Sequence, residues 1–305
     1  MNVTLRQLSV FESAARLLNY TRAAQELHLS QPAVSMQIRQ LEDQAGLQLF
    51  EKIGRKLHLT EAGRELFQYS RAILHDLHEA EEVMEALKGL NTGNLNIGVA
   101  STVNYFAPRL LAAFNQRYPG IKLSLEATNR ENLIRMLGAN EEDLVLMGQP
   151  PKQIDLESEP FLENPLVVIA PPEHPLAKER GILLQRLAEE TFVMREAGSG
   201  TRAAMERFFS EQGISLRTGM QMTRNEAIKQ AVRAGLGLSI VSIHSIELEL
   251  ETGRLVVLDV EDFPIRRQWF LVYRRDKRLS PAAGAFKDFV LAEAGNLLGL
   301  PRSGD

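Results

Sequence analysis

The sequence predicts an α/β protein in which a small helical domain and a long helix precede two larger α/β lobes. The first 60 residues carry apolar side chains at helical spacing and end in a hairpin pattern. Residues 61–88 then place an apolar residue about every 3.5 positions, and from residue 93 short apolar runs alternate with helical segments. A chain of 305 residues is long enough for about two domains, which fits this division.

The composition excludes several classes of protein. Lys and Arg total 35 against 39 Asp and Glu, so the net charge of −4 argues against wrapping nucleic acid over the whole surface, while a local basic patch is compatible with it. The absence of cysteine excludes disulfides, iron–sulfur clusters and thiolate zinc sites. The first 20 residues carry charges throughout and no apolar run reaches about 18 residues, so we expect a cytoplasmic protein with no membrane partner.

Two closely spaced helices are predicted in the first domain, after an amphipathic helix that begins near Leu5. Thr21 is expected to cap a helix over residues 22–27. After a turn at residues 28–29, Ser30 is expected to cap a third helix that ends near Gly46. The following residues have the composition of a hairpin whose tip lies near residues 53–56.

Two helices joined by so short a turn are typical of DNA-binding domains, in which the second helix enters the major groove by its N-terminal residues. Six residues at the start of that helix are expected to face bases or phosphates, namely Ser30, Gln31, Pro32, Ser35, Met36 and Arg39. Three basic residues at a helix start and on the hairpin tip suit phosphates or a minor groove, namely Arg22, Arg55 and Lys56. An ordinary three-helix bundle is the alternative.

Residues 61–88 are predicted to form one long helix with a coiled-coil seam. The seam consists of Leu66, Tyr69, Ile73, Leu77, Ala80, Met84 and Leu87. Its regular spacing favours a homodimer, and a two-fold dimer would bind palindromic half-sites. A solvated helix packed on its own domain is the alternative.

The remaining residues alternate between short apolar runs and helical segments, as α/β subdomains with partly parallel sheets do. Strands are predicted at residues 95–99, 122–127, 144–147, 166–170, 191–194, 238–241, 255–258 and 268–273. Helices are predicted at residues 105–117, 131–138, 184–189, 201–212, 225–234, 242–252 and 281–291. Two such sets indicate two linked lobes with a cleft between them.

Hydroxyl and basic side chains follow several of these strands. Ser101-Thr102 and residues 198–201 each lie between a predicted strand and a predicted helix, and helix N-termini bind anions readily. We therefore expect an anionic small molecule in the cleft. Its candidate ligands are Ser101, Thr102, Asn129, Arg130, Gln149, Arg195, Ser199, Gly200, Thr201, Arg202, Asn225 and Glu226. Simple helix caps for the hydroxyls and surface ion pairs for the arginines are the alternatives.

No catalytic or metal-binding constellation is predicted. Ala197 stands where a Gly-x-Ser-x-Gly nucleophile motif needs its first glycine. Residues 235–237 lack the third glycine of a dinucleotide fingerprint and are expected to let a helix turn tightly into a strand. His75 and His78 do not have the spacing of a zinc protease, and Trp269 is assigned to the core or an interface.

The run over residues 5–66, which includes TRAAQELHLSQPAVSMQIRQLEDQ, resembles the LysR-type transcriptional regulators, and the resemblance extends over essentially the whole chain. It implies a winged helix-turn-helix over residues 1–60, a linker helix over 61–90 and a two-lobed effector domain like periplasmic solute-binding proteins. Lobe I would take residues 91–161 and 267–305, and lobe II residues 162–266, with crossings near 161–162 and 265–267. This chain departs from the family at Met36, where many members have Arg or Lys.

Within that family the effector half is most similar to regulators of Calvin-cycle (RuBisCO) operons, through stretches such as STVNYFAPRLLAAF, REAGSGTRAAMERFF and NEAIKQAVRAGLGLSIVS. The resemblance implies no bound cofactor, but an effector that is a phosphorylated metabolite or NADPH. Its implied partners are double-stranded DNA, further copies of the chain as a homodimer or dimer of dimers, and RNA polymerase. A regulator of another operon with a non-phosphate effector, a solute-sensing module that binds no DNA, and an α/β enzyme are the alternatives.

Overall fold

The computed structural model describes residues 3–54, 56–87 and 93–299, and it divides into two compact units. The first contains the described residues up to Met84 together with Ala139–Glu141, and the second contains the others. Within these described ranges, no helix is both long and apolar enough to cross a membrane.

The first unit begins with three helices and a two-stranded hairpin, α1 Leu5–Leu17, α2 Tyr20–Glu26, α3 Gln31–Ala45, β1 Phe50–Ile53 and β2 Lys56–Leu59. As predicted, Ser30 caps α3, which ends at Gly46 in the left-handed conformation with φ 68°. The predicted cap at Thr21 is wrong. Asn19 caps α2 instead, because its side-chain oxygen accepts hydrogen bonds from the backbone N–H groups of Thr21 and Arg22.

Small and aromatic residues form the core of this unit. Ala23 and Ala24 are buried, so α2 packs closely against its neighbours. The ring of Phe50 on β1 contacts Phe11 and Tyr20 edge-on, with centroids 5.6 and 5.4 Å away. The hairpin is therefore fixed to the helices by aromatic packing.

The long helix α4, Glu61–Leu87, agrees with the prediction. Thr60 caps it by accepting a hydrogen bond from the N–H of Gly63 at 3.0 Å. The side chains of Tyr69, Ile73, Leu77 and Met84 are exposed in the single chain. These belong to the predicted seam, so its apolar face is available to another helix.

Lobe I is built on a five-stranded sheet in the order β4-β3-β5-β12-β6. The strands are β3 Gly93–Ala100, β4 Ile121–Thr128, β5 Leu144–Met147, β6 Leu156–Glu163 and β12 Gln268–Arg274. The helices are α5 Ala107–Arg117, α6 Arg130–Gly138 and α11 Pro281–Leu297. Strands β4 and β5 flank β3 in parallel, and a core of apolar side chains lies between this sheet and helices α5 and α11.

Lobe II contains two small sheets, in the orders β10-β7-β11 and β8-β9. The strands are β7 Leu166–Ala170, β8 Thr191–Arg195, β9 Arg217–Met222, β10 Ser239–Ser242 and β11 Val256–Val257. The helices are α7 Leu184–Ala188, α8 Gly200–Glu211, α9 Asn225–Arg233 and α10 Glu247–Glu251. Strands β8 and β9 are parallel, so the predicted alternation of strands and helices holds in this lobe as well.

The chain passes between the lobes twice, along two neighbouring segments. Leu166 and Ile265 pair in an antiparallel bridge, and the N–H of Asn164 donates to the carbonyl oxygen of Arg267 at 2.8 Å. Residues 161–162, expected near the first crossing, lie inside β6 instead. The crossing follows that strand.

Two edge strands, β6 and β9, are absent from the sequence prediction. Strand β6 contains Pro160, which lies opposite Phe270 next to a register shift, and β9 is almost wholly exposed and contains Gly219. Neither has the apolar run that identifies a buried strand. The helix predicted over residues 242–252 is confirmed only over Glu247–Glu251, which form α10, because a 3-10 turn over Ile243–Ser245 precedes it.

Gly237 should be essential for the stability of the second unit. As predicted, residues 235–237 turn a helix into a strand, and Gly237 has a φ of 138°, where an added Cβ would lie 2.3 Å from the carbonyl oxygen of Thr191. We expect Gly237→Ala to lower the free energy of unfolding by about 1–3 kcal/mol. Gly284→Ala in α11, with open space around it, should instead stabilise by about 0.5–1 kcal/mol. Calorimetric melting of both variants tests this, and equal melting temperatures would contradict it.

Candidate functional site

The outward face of α3 carries the side chains predicted to contact DNA. Gln31, Pro32, Met36 and Arg39 are exposed and Ser35 is half-buried. The opposite face consists of Val34, Ile38 and Leu41, which are buried in the core. The hydroxyl of Ser30 accepts a hydrogen bond from the N–H of Ala33 at 3.3 Å, so it also serves as the helix cap.

Three of the five acidic residues in the first 60 positions are engaged within the domain, whereas Asp43 and Glu51 are exposed. Glu12 and Glu26 both pair with Arg16, and the hydrogen bonds of Glu26 with Arg16 and Ser13 lower the pKa of its carboxyl. Glu42 accepts hydrogen bonds from the backbone N–H groups of Leu49 and Phe50 at 2.8 and 3.2 Å, which ties α3 to the hairpin.

The basic residues of the same domain are mostly free for another partner. Arg22, Arg39 and Lys56 are exposed and form no ion pair with the residues that the structure describes, and the same holds for Lys52, which the sequence analysis did not select. Arg55 lies outside the described residues. The first 60 residues contain seven Arg and Lys against five Asp and Glu, so this part of the chain is slightly basic although the whole chain is acidic.

A cavity lies between the two lobes. It is lined by Ala100, Ser101, Thr102, Thr128, Asn129, Arg130, Met147, Gly148, Arg195, Ser199, Gly200, Thr201, Arg267 and Trp269. Eight of the twelve predicted cleft residues are among them. The carboxyl ends of β3 and β5 and the first turn of α8 meet here, as expected for a binding site in open α/β sheets.

Four predicted cleft residues do not line the cavity. Gln149 contributes its backbone carbonyl, which accepts a hydrogen bond from Arg130 at 3.3 Å. Arg202 turns back to Glu206 and Gln221, and Glu226 pairs with Lys229. Asn225 lies behind the wall, where it connects two of the lining residues.

Only one of the two expected helix N-termini exists. α8 begins at Gly200 after Ser199, whose hydroxyl accepts a hydrogen bond from the N–H of Thr201 at 3.2 Å, so Ser199 serves as a helix cap, the alternative that the sequence left open. Thr102 precedes a 3-10 turn over Val103–Tyr105, and α5 begins only at Ala107, so the predicted helix start at Ser101-Thr102 is wrong. The hydroxyls of Ser101 and Thr102 accept hydrogen bonds from the other lobe instead.

These hydrogen bonds form a buried network centred on Arg195 of lobe II. Its guanidinium donates to both carboxylate oxygens of Glu196, to Oδ1 of Asn225 at 2.5 Å and to Oγ of Ser101 at 3.1 Å. The amide nitrogen of Asn225 donates to Oγ1 of Thr102 at 3.2 Å. Because Ser101 and Thr102 belong to lobe I, the network ties the lobes together and occupies the side chain of Arg195.

Sequence analysis missed Arg267, which lies on the second crossing immediately before β12. A Cβ on Gly148 would lie only 2.3 Å from its Nη2, so the guanidinium occupies the space that a side chain would otherwise fill. Its Nη1 donates to the carbonyl oxygen of Gly200 at 3.2 Å. Burial, together with the positive charges of Arg207 and Arg130, lowers the pKa of Arg267 to about 10.

Arg130 and Trp269 complete the wall around Arg267. A Cβ on Gly200 would lie 3.3 Å from Cδ of Arg130, so this side chain extends along the first turn of α8, and burial lowers its pKa. Trp269 is 3% exposed, and its indole N–H has no acceptor among the described residues. The adjacent arginines before an apolar strand in PIRRQWF were the available signal, but strand alternation alone does not say which one points inward.

The head, which consists of α1–α3 and the hairpin, exposes one face of α3, and the two-lobed domain contains a cavity between its lobes. This combination defines the class of one-chain regulators that join a helix-turn-helix to a ligand-binding domain. Residues 5–64 match the bacterial regulatory helix-turn-helix proteins of the lysR family, and residues 88–295 match the LysR substrate binding domain. The chain belongs to the LysR family of transcriptional regulators, which confirms the resemblance found in the sequence.

Several known proteins are similar over most of their length. The RuBisCO operon transcriptional regulator of Allochromatium vinosum is 70% identical over 297 residues, which cover 97% of this chain and 98% of that protein. The regulatory domain of CcmR from Synechocystis PCC6803, solved in complex with 2-PG, is 43% identical with a TM-score of 0.64 and covers 66% of this chain and 97% of its own. The LysR family regulator CbnR, at 22% identity and a TM-score of 0.71, covers 94% of this chain and 98% of its own and shares the fold.

Arg195→Met should destabilise the second unit strongly. The substitution leaves the carboxylate of Glu196 and the amide of Asn225 without their buried donor, so we expect a loss of about 3–5 kcal/mol in the free energy of unfolding. Ser101→Ala removes one hydrogen bond and should cost about 1 kcal/mol. The exposed Arg217 on β9 provides the control, and Arg217→Met should change stability by less than about 0.5 kcal/mol. Urea unfolding measures all three, and a similar effect for the two arginine variants would contradict a central role of Arg195.

Proposed function

We propose that this protein is a transcriptional regulator of carbon-fixation (RuBisCO, Calvin-cycle) genes that responds to a small anionic metabolite. The observation that carries the proposal is the 70% identity, over nearly the whole chain, to a RuBisCO operon transcriptional regulator. Identity at this level in both the helical head and the two-lobed domain favours a shared operator class and a shared effector class.

The proposed DNA contact uses α3 in the major groove. Gln31 offers an amide that reads adenine, Ser35 reaches bases or phosphates, and Arg39 positions the helix. Met36 supplies an apolar contact suited to a thymine methyl. Arg22, Arg55 and Lys56 would hold phosphates on either side of the groove. The free cations around α3 support this arrangement, because phosphate contacts supply most of the affinity.

The proposed assembly is a cytoplasmic homodimer, or a dimer of dimers, held by the exposed apolar face of α4. Two heads related by a two-fold axis would bind a palindromic pair of half-sites. A bound effector would shift the equilibrium between two arrangements of the lobes, and with it the spacing of the heads and the contact with RNA polymerase. Such a shift requires different effector affinities for the two arrangements.

The proposal predicts a division of labour within the DNA-binding face. Gln31→Ala should relax base preference at one operator position, where a lost base contact is worth about 1–3 kcal/mol, and leave binding to random duplex unchanged. Lys56→Ala should weaken binding to every duplex and reduce the slope of log K against log salt by about 1. Fluorescence anisotropy on duplexes from the region upstream of the RuBisCO genes, and on scrambled duplexes, measures both effects.

A matched control is the exposed Arg217, which lies far along the chain in lobe II. Arg217→Met removes one positive charge outside the head and should leave both the affinity and the salt slope unchanged. If the wild-type protein bound the upstream region no more tightly than scrambled DNA at physiological salt, the proposed function would be wrong.

A further inference from the structure

One segment of lobe I, residues 101–109, contacts lobe II from its first residue to its last. It follows β3, includes the 3-10 turn over Val103–Tyr105 and ends in the first turn of α5. Ser101 and Thr102 line the interlobe cavity and accept the hydrogen bonds from lobe II described above. The rest of the segment lies outside the cavity lining, and three of its residues make further contacts with lobe II.

The first of these outer contacts joins Tyr105 to Lys229, a buried residue of α9. The ammonium group of Lys229 lies 4.7 Å from the centroid of the Tyr105 ring. The same ammonium pairs with Glu226 and with Glu249, each at 2.9 Å. Both carboxylates belong to lobe II, so the cation is fixed from that side and covered by Tyr105 from lobe I. The attraction between a cation and an aromatic face is stronger when both are removed from water.

The other two outer contacts involve Phe106 and Arg109. The ring of Phe106 packs against the imidazole of His244 in lobe II, with centroids 5.3 Å apart. Nε2 of His244 donates a hydrogen bond to the carbonyl oxygen of Glu163, the last residue of β6, at 2.8 Å. The guanidinium of Arg109 pairs with the carboxylate of Glu247 on α10. The outer contacts therefore extend from the middle of the segment to the place where the chain first crosses between the lobes.

The segment is also anchored firmly in its own lobe. Val103 and Phe106 are buried in the core that lies between the sheet of lobe I and helices α5 and α11. The outer contacts join protein side chains directly, at positions outside the cavity lining. They form whenever the lobes meet, and no ligand is needed to bridge them.

We propose that residues 101–109 are a clamp that keeps the two lobes closed whether or not the cavity is occupied, and that Tyr105 and Lys229 form its central contact. The cavity is then preformed, and a ligand enters when the clamp opens. Binding by closure, in which the ligand joins two otherwise separate lobes, is the opposite arrangement. The clamp is independent of the operator and of the chemistry of the effector. Its regulatory consequence, that the closed arrangement is the resting state, rests on the proposed function.

The single tryptophan of the chain reports on this closure. Trp269 is 3% exposed, lines the interlobe cavity and packs against Phe106 with ring centroids 5.9 Å apart. Separation of the lobes would expose the indole to water and to a small neutral quencher such as acrylamide. The quenching constant of its fluorescence therefore measures how far the lobes are open, and the measurement needs no ligand.

Acrylamide quenching of the full-length protein tests the central contact. Tyr105→Ala removes the ring that covers Lys229 and should raise the quenching constant of Trp269 about three- to tenfold, because the loss of a desolvated cation–aromatic contact increases the open population. Tyr105→Phe keeps the ring and should change the constant less than about twofold. Tyr118→Ala is the matched control. It removes another half-buried tyrosine of lobe I, one that packs on Phe114, and should leave the constant unchanged.

A cross-link between the lobes distinguishes opening from local unfolding. The chain has no cysteine, so Arg109→Cys combined with Glu247→Cys places one thiol on each lobe, at two exposed positions whose side chains are in contact. A short bismaleimide should join these thiols without ligand and leave the quenching constant of Trp269 unchanged. In a protein that also carries Tyr105→Ala, the cross-link should restore the wild-type constant. The same variants before cross-linking control for the lost ion pair, which contributes little at an exposed position.

Three results would overturn the proposal. A severalfold fall in quenching when the otherwise wild-type lobes are cross-linked would show that they are open without a ligand. Unchanged quenching in Tyr105→Ala would show that the central contact does not hold them. Raised quenching that the cross-link does not reverse would assign Tyr105 to the stability of lobe I instead. None of these results bears on the anisotropy measurements with operator DNA, where failure of the proposed function would appear.

Discussion

The guanidinium of Arg195 connects the two lobes, and the interlobe cavity depends on this connection. It holds Glu196 and Asn225 in lobe II and reaches Ser101 in lobe I, while Asn225 extends the network to Thr102. Every residue of this hydrogen-bond network is buried or half-buried, so its hydrogen bonds replace those that the same polar groups would form with water. Opening the lobes would expose and rehydrate these groups together.

Both the DNA-binding domain and the interlobe cavity contain cations that form no ion pair with the residues that the structure describes. In the head, Glu12, Glu26 and Glu42 are used by Arg16 and by backbone N–H groups, and this leaves the cations around α3 free. In the interlobe cavity, Arg130 and Arg267 form no ion pair with any residue that the structure describes. The net charge of −4 indicates neither group of cations, because it is a sum over the whole chain.

The cavity also shows how binding competes with stability. The desolvated charge of Arg267 and the unpaired N–H of Trp269 both cost free energy in the ligand-free protein. The surrounding structure supports them through the apolar core of lobe I, to which Trp269 belongs, and through the two paired crossings. A ligand that satisfies these groups would recover that cost on binding.

The sequence by itself determined the helix cap at Ser30, the buried strands, the long helix and the family, because these features arise from local hydrogen bonding and from the period of apolar residues. It did not reveal the edge strands β6 and β9, whose half-exposed residues lack such a period. Only the tertiary structure decided which polar residues of the cleft are engaged with one another and which face the cavity. Arg195 and Arg267 are both arginines beside apolar strands, but Arg195 pairs with the adjacent Glu196 whereas Arg267 forms no ion pair with any described residue. No local pattern encodes the contacts between residues distant in sequence, such as Arg195 with Ser101 and Arg267 with Gly148 and Gly200.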